Sequence, residues 1–504
     1  MRARLNLREL FANFKEDPAH PEVGFSTFAS LRPSWCVLAG PKGTHAVCVC
    51  SYHQNAKLMI AAMSDFHIVG LEDFMAKTVC SLASELCMMR KCKECPGLGG
   101  IMQDAQIKEI FCDIEEVTYK LWISTDHTSL VTISEAGDDF VEHLADKLVE
   151  LTRHHYIAKA QSTYMKALKE NIRPSEAVVQ GDFSENFSFV IQDEAQGYRW
   201  EHSQATVHPF VVYYRNQNSE TTSRCSYCVI SDSKDHSTAS VYAFQKALLK
   251  ELRAKLPLLK KIHYFTDGCA GQYKNKFNFI NLCHHSSDFN IDAEWNFFAT
   301  SHGKGPCDGI GASVKRCTAK ASLQRPILAQ ITTAKDMFEY CRSEINFPNI
   351  KMLFVSDEEI RISKQSLQER FALAVTIKGT QRLHRLKPVS KTHLEVYDTS
   401  SNNPLRTVSI TKDASGQPGA EEVVYHVGDF VACMLFDMVW LGVKDEISAE
   451  FGDCHVKLLH PSGISDEPYH WPAQEDRSWF FREDILCGVQ FGLDAVTGEH
   501  QLPH

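Results

Sequence analysis

Lys261-Ile-His-Tyr-Phe-Thr-Asp-Gly-Cys-Ala-Gly-Gln-Tyr-Lys-Asn275 begins as an apolar, aromatic run and ends as a polar turn with glycines. The first six residues read as a buried strand, because a short run of apolar residues closed by a turn signal is what a strand covered on both faces requires. Asp267-Gly268 then places an acid at the carboxyl end of that strand, and Lys274 to Cys283 reads as a helix. Upstream, Ala177-Val-Val-Gln-Gly-Asp182 is a second strand that ends in an acid, with Phe187–Ile191 as its extension. Thr206–Tyr214 and Cys225–Ser231 are two further strands. Ser237 to Leu256 is a helix with Ser237 or Thr238 as its cap and Val241, Phe244, Leu248 and Leu252 on its apolar face. Downstream, Ala293–Ala299 is another strand, and Ser301-His-Gly-Lys-Gly-Pro-Cys-Asp308 opens a helix that runs through Lys315-Arg316.

The order, three strands then helix, strand, helix, strand, helix, is that of the ribonuclease H-like fold. It predicts an α/β domain over residues 176–325 whose mixed sheet carries flanking helices. In that order Asp182 lies on the first strand, Asp267 just after the fourth, and Asp308 on a late helix. Three carboxylates supply the hard oxygens that Mg²⁺ (or Mn²⁺) prefers. Two such ions about 3.5–4 Å apart activate an attacking oxygen and stabilise the leaving one in phosphodiester displacement. Each acid has a plainer alternative: a strand-end turn for Asp182, an Asp-Gly turn for Asp267, a helix cap for Asp308. Glu185, Asp193 and Asp232 are the reserve acids if the strand register differs. His236, His302 and Lys304 are supporting candidates. The last two flank Asp308 in a loop whose glycines let backbone donors approach a phosphate. Lys274, Lys276, Lys315 and Arg316 are candidates for DNA phosphate contacts, against the alternative of a solvated face. Cys225-Ser-Tyr-Cys228 is expected to pack in the core.

Residues 1–120 are rich in cysteine and short on helical periodicity. Cys48, Cys50 and His53 lie close together, followed by Cys80, Cys87 and the C-x-x-C turn of Cys92 and Cys95. Zn²⁺ takes four tetrahedral N or S ligands, so Cys48, Cys50 or His53 with Cys92 and Cys95 form the expected structural zinc site, and the remaining cysteines are available for a second. The alternative is that these thiols are small core residues. Residues 121–175 read as a helical connector, ended by Pro174. Residues 326–415 read as a helical extension and linker, with polar loop stretches at Asp398–Pro404 and, running past its end, Lys412–Gly419. Residues 421–490 read as short strands with Gly-Asp and Pro-Gly turns, a small β-barrel of the Tudor or Src-homology-3 type in which Phe436, Trp440 and Trp471 are cage or core aromatics.

Three strings, Asp182-Phe-Ser-Glu-Asn, Tyr264–Asn275 and Phe297-Phe-Ala-Thr-Ser-His-Gly-Lys-Gly-Pro-Cys-Asp-Gly-Ile-Gly, resemble those of DDE-type transposases and the transposon-derived proteins of invertebrate genomes. The resemblance covers roughly residues 20–330 and, more loosely, the C-terminal module. It implies Mg-dependent cleavage and transfer of DNA strands by Asp182, Asp267 and Asp308, DNA as partner, a chromatin or peptide ligand for the barrel, and a nuclear location. An oligomer is compatible with it. The alternative is a catalytically inactive DNA- or chromatin-binding protein of the same origin. The family's usual upstream DNA-binding segment is not recognisable here, and many of its members end the triad with Glu where this chain has Asp308.

The composition fits this reading and excludes others. The chain has 504 residues, 44% hydrophobic and 23% charged, which is globular rather than disordered. No apolar run approaches the roughly 18 residues of a membrane span, and charges interrupt the N-terminus too often for a signal peptide. Its 18 cysteines are read as reduced intracellular thiols. A net charge of −10 argues against coating nucleic acid by bulk charge, though not against a local basic groove.

Overall fold

The computed structural model describes residues 11, 14–15, 23–31, 50–63, 70–111, 114–124, 128–193, 203–216, 221–343, 347, 349–412, 426–435, 438–447, 454–461, 469–470, 476–480, 485–489, 492–493 and 500–501. The N-terminal part departs from the sequence reading. Among the described residues from 50 to 111 it carries helices: α1 (Ser51–Ala62), α2 (Leu71–Thr78) and shorter ones at Glu85–Met88, Gly99–Met102 and Ala105–Phe111. Strands β1 (Val117–Ser124) and β2 (Thr128–Glu135) then pair as an antiparallel hairpin from Val117↔Glu135 to Ser124↔Thr128. In β1, Val117, Tyr119 and Leu121 are buried and the residues between them are exposed, a period of two; from residue 121 the hairpin takes the place of the start of the expected helical connector.

The helix itself, α3 (Gly137–Glu170), starts sixteen residues later than 121 and is 34 residues long. Its first half buries Phe140, Leu144, Leu148 and Leu151 against Met59, Met63, Phe74, Ile101 and Phe111. Its second half lies over the next domain, where Met165 packs with Val178 and Phe265. One rigid element therefore joins two cores.

The central sheet is built from β3 (Glu176–Gly181), β4 (Ser184–Ser188), β5 (Gln204–Tyr214), β6 (Ser223–Ser231), β7 (Lys261–Thr266) and β8 (Asp292–Phe297), with α4 (Thr238–Lys255) and α5 (Lys276–Phe289) between the later strands. The spatial order β6-β5-β3-β7-β8 has β3, β7 and β8 parallel and β5 antiparallel to both β3 and β6. Alternate residues feed opposite faces: Ala177 and Val179 join Phe244, Leu248 and Ile280 from α4 and α5, while Val178 faces α3. On that second face, α6 (Pro306–Gln324) and α7 (Ala334–Cys341) cover β4, β5 and β6 through Val314 and Met337. Cys228 is fully buried there, the packing role expected of it.

The helical patterning expected in 326–415 is realised in α7 and in a helix over Asp357–Leu373, but the described residues of this stretch also add strands to the sheet. β9 (Ile350–Phe354) adds in parallel to β6, and α8 (Asp357–Leu373) follows it. β10 (Arg385–Pro388), β11 (His393–Tyr397) and β12 (Arg406–Ser409) extend the sheet beyond β8. The start of the polar segment at 398–404 is also inside: Asp398, Thr399 and Ser400 are 4%, 0% and 0% exposed, whereas Ser401, Asn403 and Pro404 are exposed. Gln161 of α3 explains why polar residues can lie there. Its Nε2 donates to the Phe297 carbonyl at 2.7 Å and to Ser400 Oγ at 2.8 Å, and its Oε1 accepts the Ser400 N–H at 2.8 Å.

The C-terminal strands β13 (Phe430–Leu435), β14 (Met438–Ile447), β15 (Cys454–Pro461), β16 (Tyr469–His470), β17 (Asp476–Phe480) and β18 (Ile485–Gly488) pair antiparallel around Val431, Cys433, Val456, Leu458 and Phe480. Trp440 packs against that core, whereas Phe436, Trp471 and Ser415–Gly419 lie outside the described residues. No described helix is long and apolar enough to cross a membrane.

Candidate functional site

β3 and β7 are parallel neighbours with Gln180 opposite Phe265, so two residues further on Asp182 and Asp267 leave the sheet side by side. The loop that leads into α6 closes over them. A Cβ at Gly303 would stand 3.2 Å from the Asp267 Cβ, one at Gly305 2.5 Å from Gln180 Nε2, and one at Gly311 2.7 Å from Ser184 Oγ. The glycines of this segment are thus required by close approach, and they bring Asp308, on the first turn of α6, to the same end of the sheet. Asp308 is exposed, and its Oδ2 accepts the Gly305 N–H at 2.8 Å, so the capping role is realised.

The electrostatics record the crowding. Burial, then the charges of Asp267 and Asp308, push the Asp182 carboxyl up to about 7. Burial also raises Asp267, partly opposed by the Cys269 N–H that donates to its Oδ1 at 3.1 Å and by the Lys274 charge.

Lys274 requires a correction. It is 5% exposed and its Nζ donates to the Gln381 carbonyl at 2.8 Å, so it faces the interior beside Asp267 and not a nucleic acid. Burial pulls its ammonium down to about 7. Lys315 donates to the Glu185 carbonyl at 2.9 Å. Lys276 lies 5.3 Å from the Phe277 ring centre, while Lys304 and Arg316 are exposed. His236 sits behind the acids: it stacks on Phe183 at 4.3 Å, with its Nε2 2.8 Å from Asn186 Oδ1. Of the reserve acids, Asp232 accepts the Asp357 N–H and Asp193 occupies a left-handed turn at φ 52°.

The expected zinc ligands separate into two groups. Cys80, Cys87, Cys92 and Cys95 form one, and Cys50, His53, His154 and His302 the other, with the ligand atoms of each within 4.8 Å of one another. A single site joining Cys50 or His53 to Cys92 and Cys95 is therefore replaced, because α1 directs its first turn at the middle of α3 while the Cys92-x-x-Cys95 turn folds back on the 80–87 segment. The Cys80 N–H donates to Cys95 Sγ at 3.4 Å. Cys48 lies outside the described residues. Among the described residues, the three aspartates do not form a third such group. Both groups offer the soft and imidazole donors of a metal such as zinc.

Sequence reasoning missed a cavity lined by Arg90, Arg153, His154, Thr300, Arg382 and His384, to which the C-terminal strands contribute Met434. It adjoins the loop after β8 that leads to Asp308. Three arginines from distant segments carry no local motif, so only the fold assembles them.

The molecule so described is a mixed α/β protein with a large sheet, flanking helices and two Cys/His groups able to hold metal. Residues 161–400 match a family model described as a domain of unknown function (DUF8701), residues 51–152 one described as DUF8700, and residues 3–40 one described as DUF8699. The first of these begins within α3 and ends at Ser400, taking in β9 to β11. No curated protein and no solved structure matches the chain.

Proposed function

We propose that the chain is a transposase-like polynucleotidyl transferase of the DDE type, with a ribonuclease H-like domain acting on DNA. One observation carries this reading: three aspartates from three separate elements lie at one end of a sheet with the strand order β6-β5-β3-β7-β8, near enough for the charges of Asp267 and Asp308 to act on Asp182. Asp182 and Asp267, with Asp308 from α6, would hold Mg²⁺ or Mn²⁺; hard carboxylate oxygens, two of the carboxylates just beyond the ends of adjacent parallel strands, suit such an ion. When bound, the ion supplies Lewis-acid activation of a phosphodiester. The chain's residues do the rest. Asp182 gives up its proton as a cation arrives, Lys274 balances the charge of Asp267, and Arg90, Arg153 and Arg382 offer bidentate contacts to phosphates. The C-terminal strands are read as a Tudor-like barrel for a chromatin or peptide ligand, and a nuclear location is part of the same proposal.

Mn²⁺ is expected to raise the melting temperature of the wild type by several degrees through binding linkage. Asp267→Asn should lose that response together with nicking or strand transfer, while DNA binding persists. No Mn²⁺ response in either protein would end the catalytic reading. In that event the second reading stands, a catalytically inactive DNA- or chromatin-binding protein. The Asp308 cap and the absence of the three acids from the closely spaced ligand groups favour it.

The Cys80, Cys87, Cys92 and Cys95 group is proposed as structural zinc. Cys92→Ser is expected to lower bound zinc by one equivalent and to destabilise the region around residues 79–103, because metal binding there is folding energy. Unchanged zinc content and melting would remove the proposal.

A further inference from the structure

We propose that Cys50, His53, His154 and His302 form a second zinc site, one that clamps the loop leading to Asp308 onto the N-terminal helices. The four residues come from three places far apart in sequence: the first turn of α1, the middle of α3, and the 299–308 loop of the central domain. Cys50 Sγ already lies 3.1 Å from His154 Nε2. The ring centres of His53 and His154 are each 5.1 Å from that of His302. With Zn–S near 2.3 Å and Zn–N near 2.0–2.1 Å, tetrahedral ligands stand about 3.3–3.7 Å apart, so a group already within 4.8 Å needs only a small closure.

Two nitrogens in this group lack a partner. His53 Nδ1 and His302 Nε2 are buried and make no hydrogen bond. An orphaned buried polar atom costs stability, and an ion between them removes both costs at once. The other nitrogen of His53, Nε2, lies 3.1 Å from His155 Nδ1. With His53 Nδ1 on the metal, Nε2–H donates to His155, the outer hydrogen bond that fixes the tautomer of a ligating histidine. Tyr52 stacks on His154 at 4.4 Å and holds its ring plane. A thiolate with three imidazoles fills four positions and leaves none open, which is the pattern of a structural zinc and not of a reactive one. The site goes beyond the catalytic reading and does not depend on it.

The consequence is mechanical. His302 lies between Ser301, held at φ 61°, and Gly303, which backs onto Asp267. An ion on His302 therefore fixes the segment that sets Asp308 against the strand ends. Without the ion the N-terminal helices lose that coordination tie to this loop.

The test uses the full chain and needs no DNA. Wild type should carry two zinc equivalents. His302→Ala and Cys50→Ser should each carry one, Cys92→Ser one, and the His302→Ala, Cys92→Ser double variant none. Hydrogen exchange across residues 299–311 should rise in His302→Ala and stay at the wild-type level in Cys92→Ser. His302→Cys, which restores a ligand, should recover the second zinc and the protection, showing that the alanine variant did not simply misfold. Two equivalents in both His302→Ala and Cys50→Ser would overturn the site. So would a wild type whose single zinc disappears in Cys92→Ser, or a loop whose exchange is indifferent to His302.

Discussion

Glu294→Ala is expected to destabilise the protein by about 3–5 kcal/mol, the cost of breaking a buried charge network by removing one partner. Glu294 lies on β8 with no exposed surface. His263 Nδ1 is 2.8 Å from its Oε1, while Lys261 Nζ and Arg385 Nη2 each stand 2.9 Å from its Oε2. Three cationic or protonatable groups thus share one carboxylate. Burial alone would raise the Glu294 carboxyl, but His263, Arg385 and Lys261 outweigh it and hold the group well below the usual carboxylate range.

Removing the carboxylate leaves Arg385, a sixth exposed, without its anion; Lys261 is better placed to reach water. The sign of the pH dependence follows. Because the folded-state value is depressed, the contribution is complete above the ordinary glutamate value of about 4.3 and is lost only as pH falls through the range beneath it. Denaturant titration at pH 7 should give the full loss, and Glu294→Gln a smaller one, since the amide oxygen still accepts one bond. A loss under about 1 kcal/mol for the alanine variant would mean the network is solvated and belongs with surface pairs.

This network shows where sequence reading ends. Glu294 occurs within a run otherwise apolar and aromatic, and nothing local says that a strand interior there gathers a lysine, an arginine and a histidine around it. Five of the six strands from Glu176 to Phe297 were legible because each is a short apolar run bounded by turn residues, a signal carried within the segment; β4, read as an extension of β3, is a separate strand paired with β5. The β1–β2 hairpin was not, because its alternation adjoins a long amphipathic helix and was absorbed into it. Asp398–Ser400 reads as a linker by composition, yet Gln161, more than two hundred residues away, satisfies it inside the fold. The cysteines were recognised as metal-competent, but their division into two groups depends on where α1 meets α3, and His154 and His302 carry no spacing that links them to Cys50. Lys274 followed the same pattern: its charge suggested the surface, and the tertiary contact with Gln381 overrode it.

In buffer without added divalent ions, Asp182→Asn is expected to be more stable than wild type at pH 8 and indistinguishable from it near pH 4. Burial, with the charges of Asp267 and Asp308, raises the Asp182 carboxyl from the ordinary value to about 7. A raised acid reverses the familiar carboxylate case. The folded protein resists ionising Asp182 while the unfolded chain ionises it freely, so the penalty is absent below about pH 4, grows between 4 and 7, and is complete above 7. A rise from about 4 to about 7 corresponds to about 4 kcal/mol, an upper bound because the side chain retains some access to water. Asparagine keeps the shape and cannot ionise, so it escapes the penalty at every pH. The melting temperatures of the two proteins should therefore diverge steadily from pH 4 to 7 and then run parallel. Divalent ions should reverse the order, since a cation stabilises the ionised aspartate and gains less from the amide. Equal stabilities at pH 4 and pH 8 would show that Asp182 is solvated and the acids are not crowded, and the strain that a bound cation would relieve would then be absent.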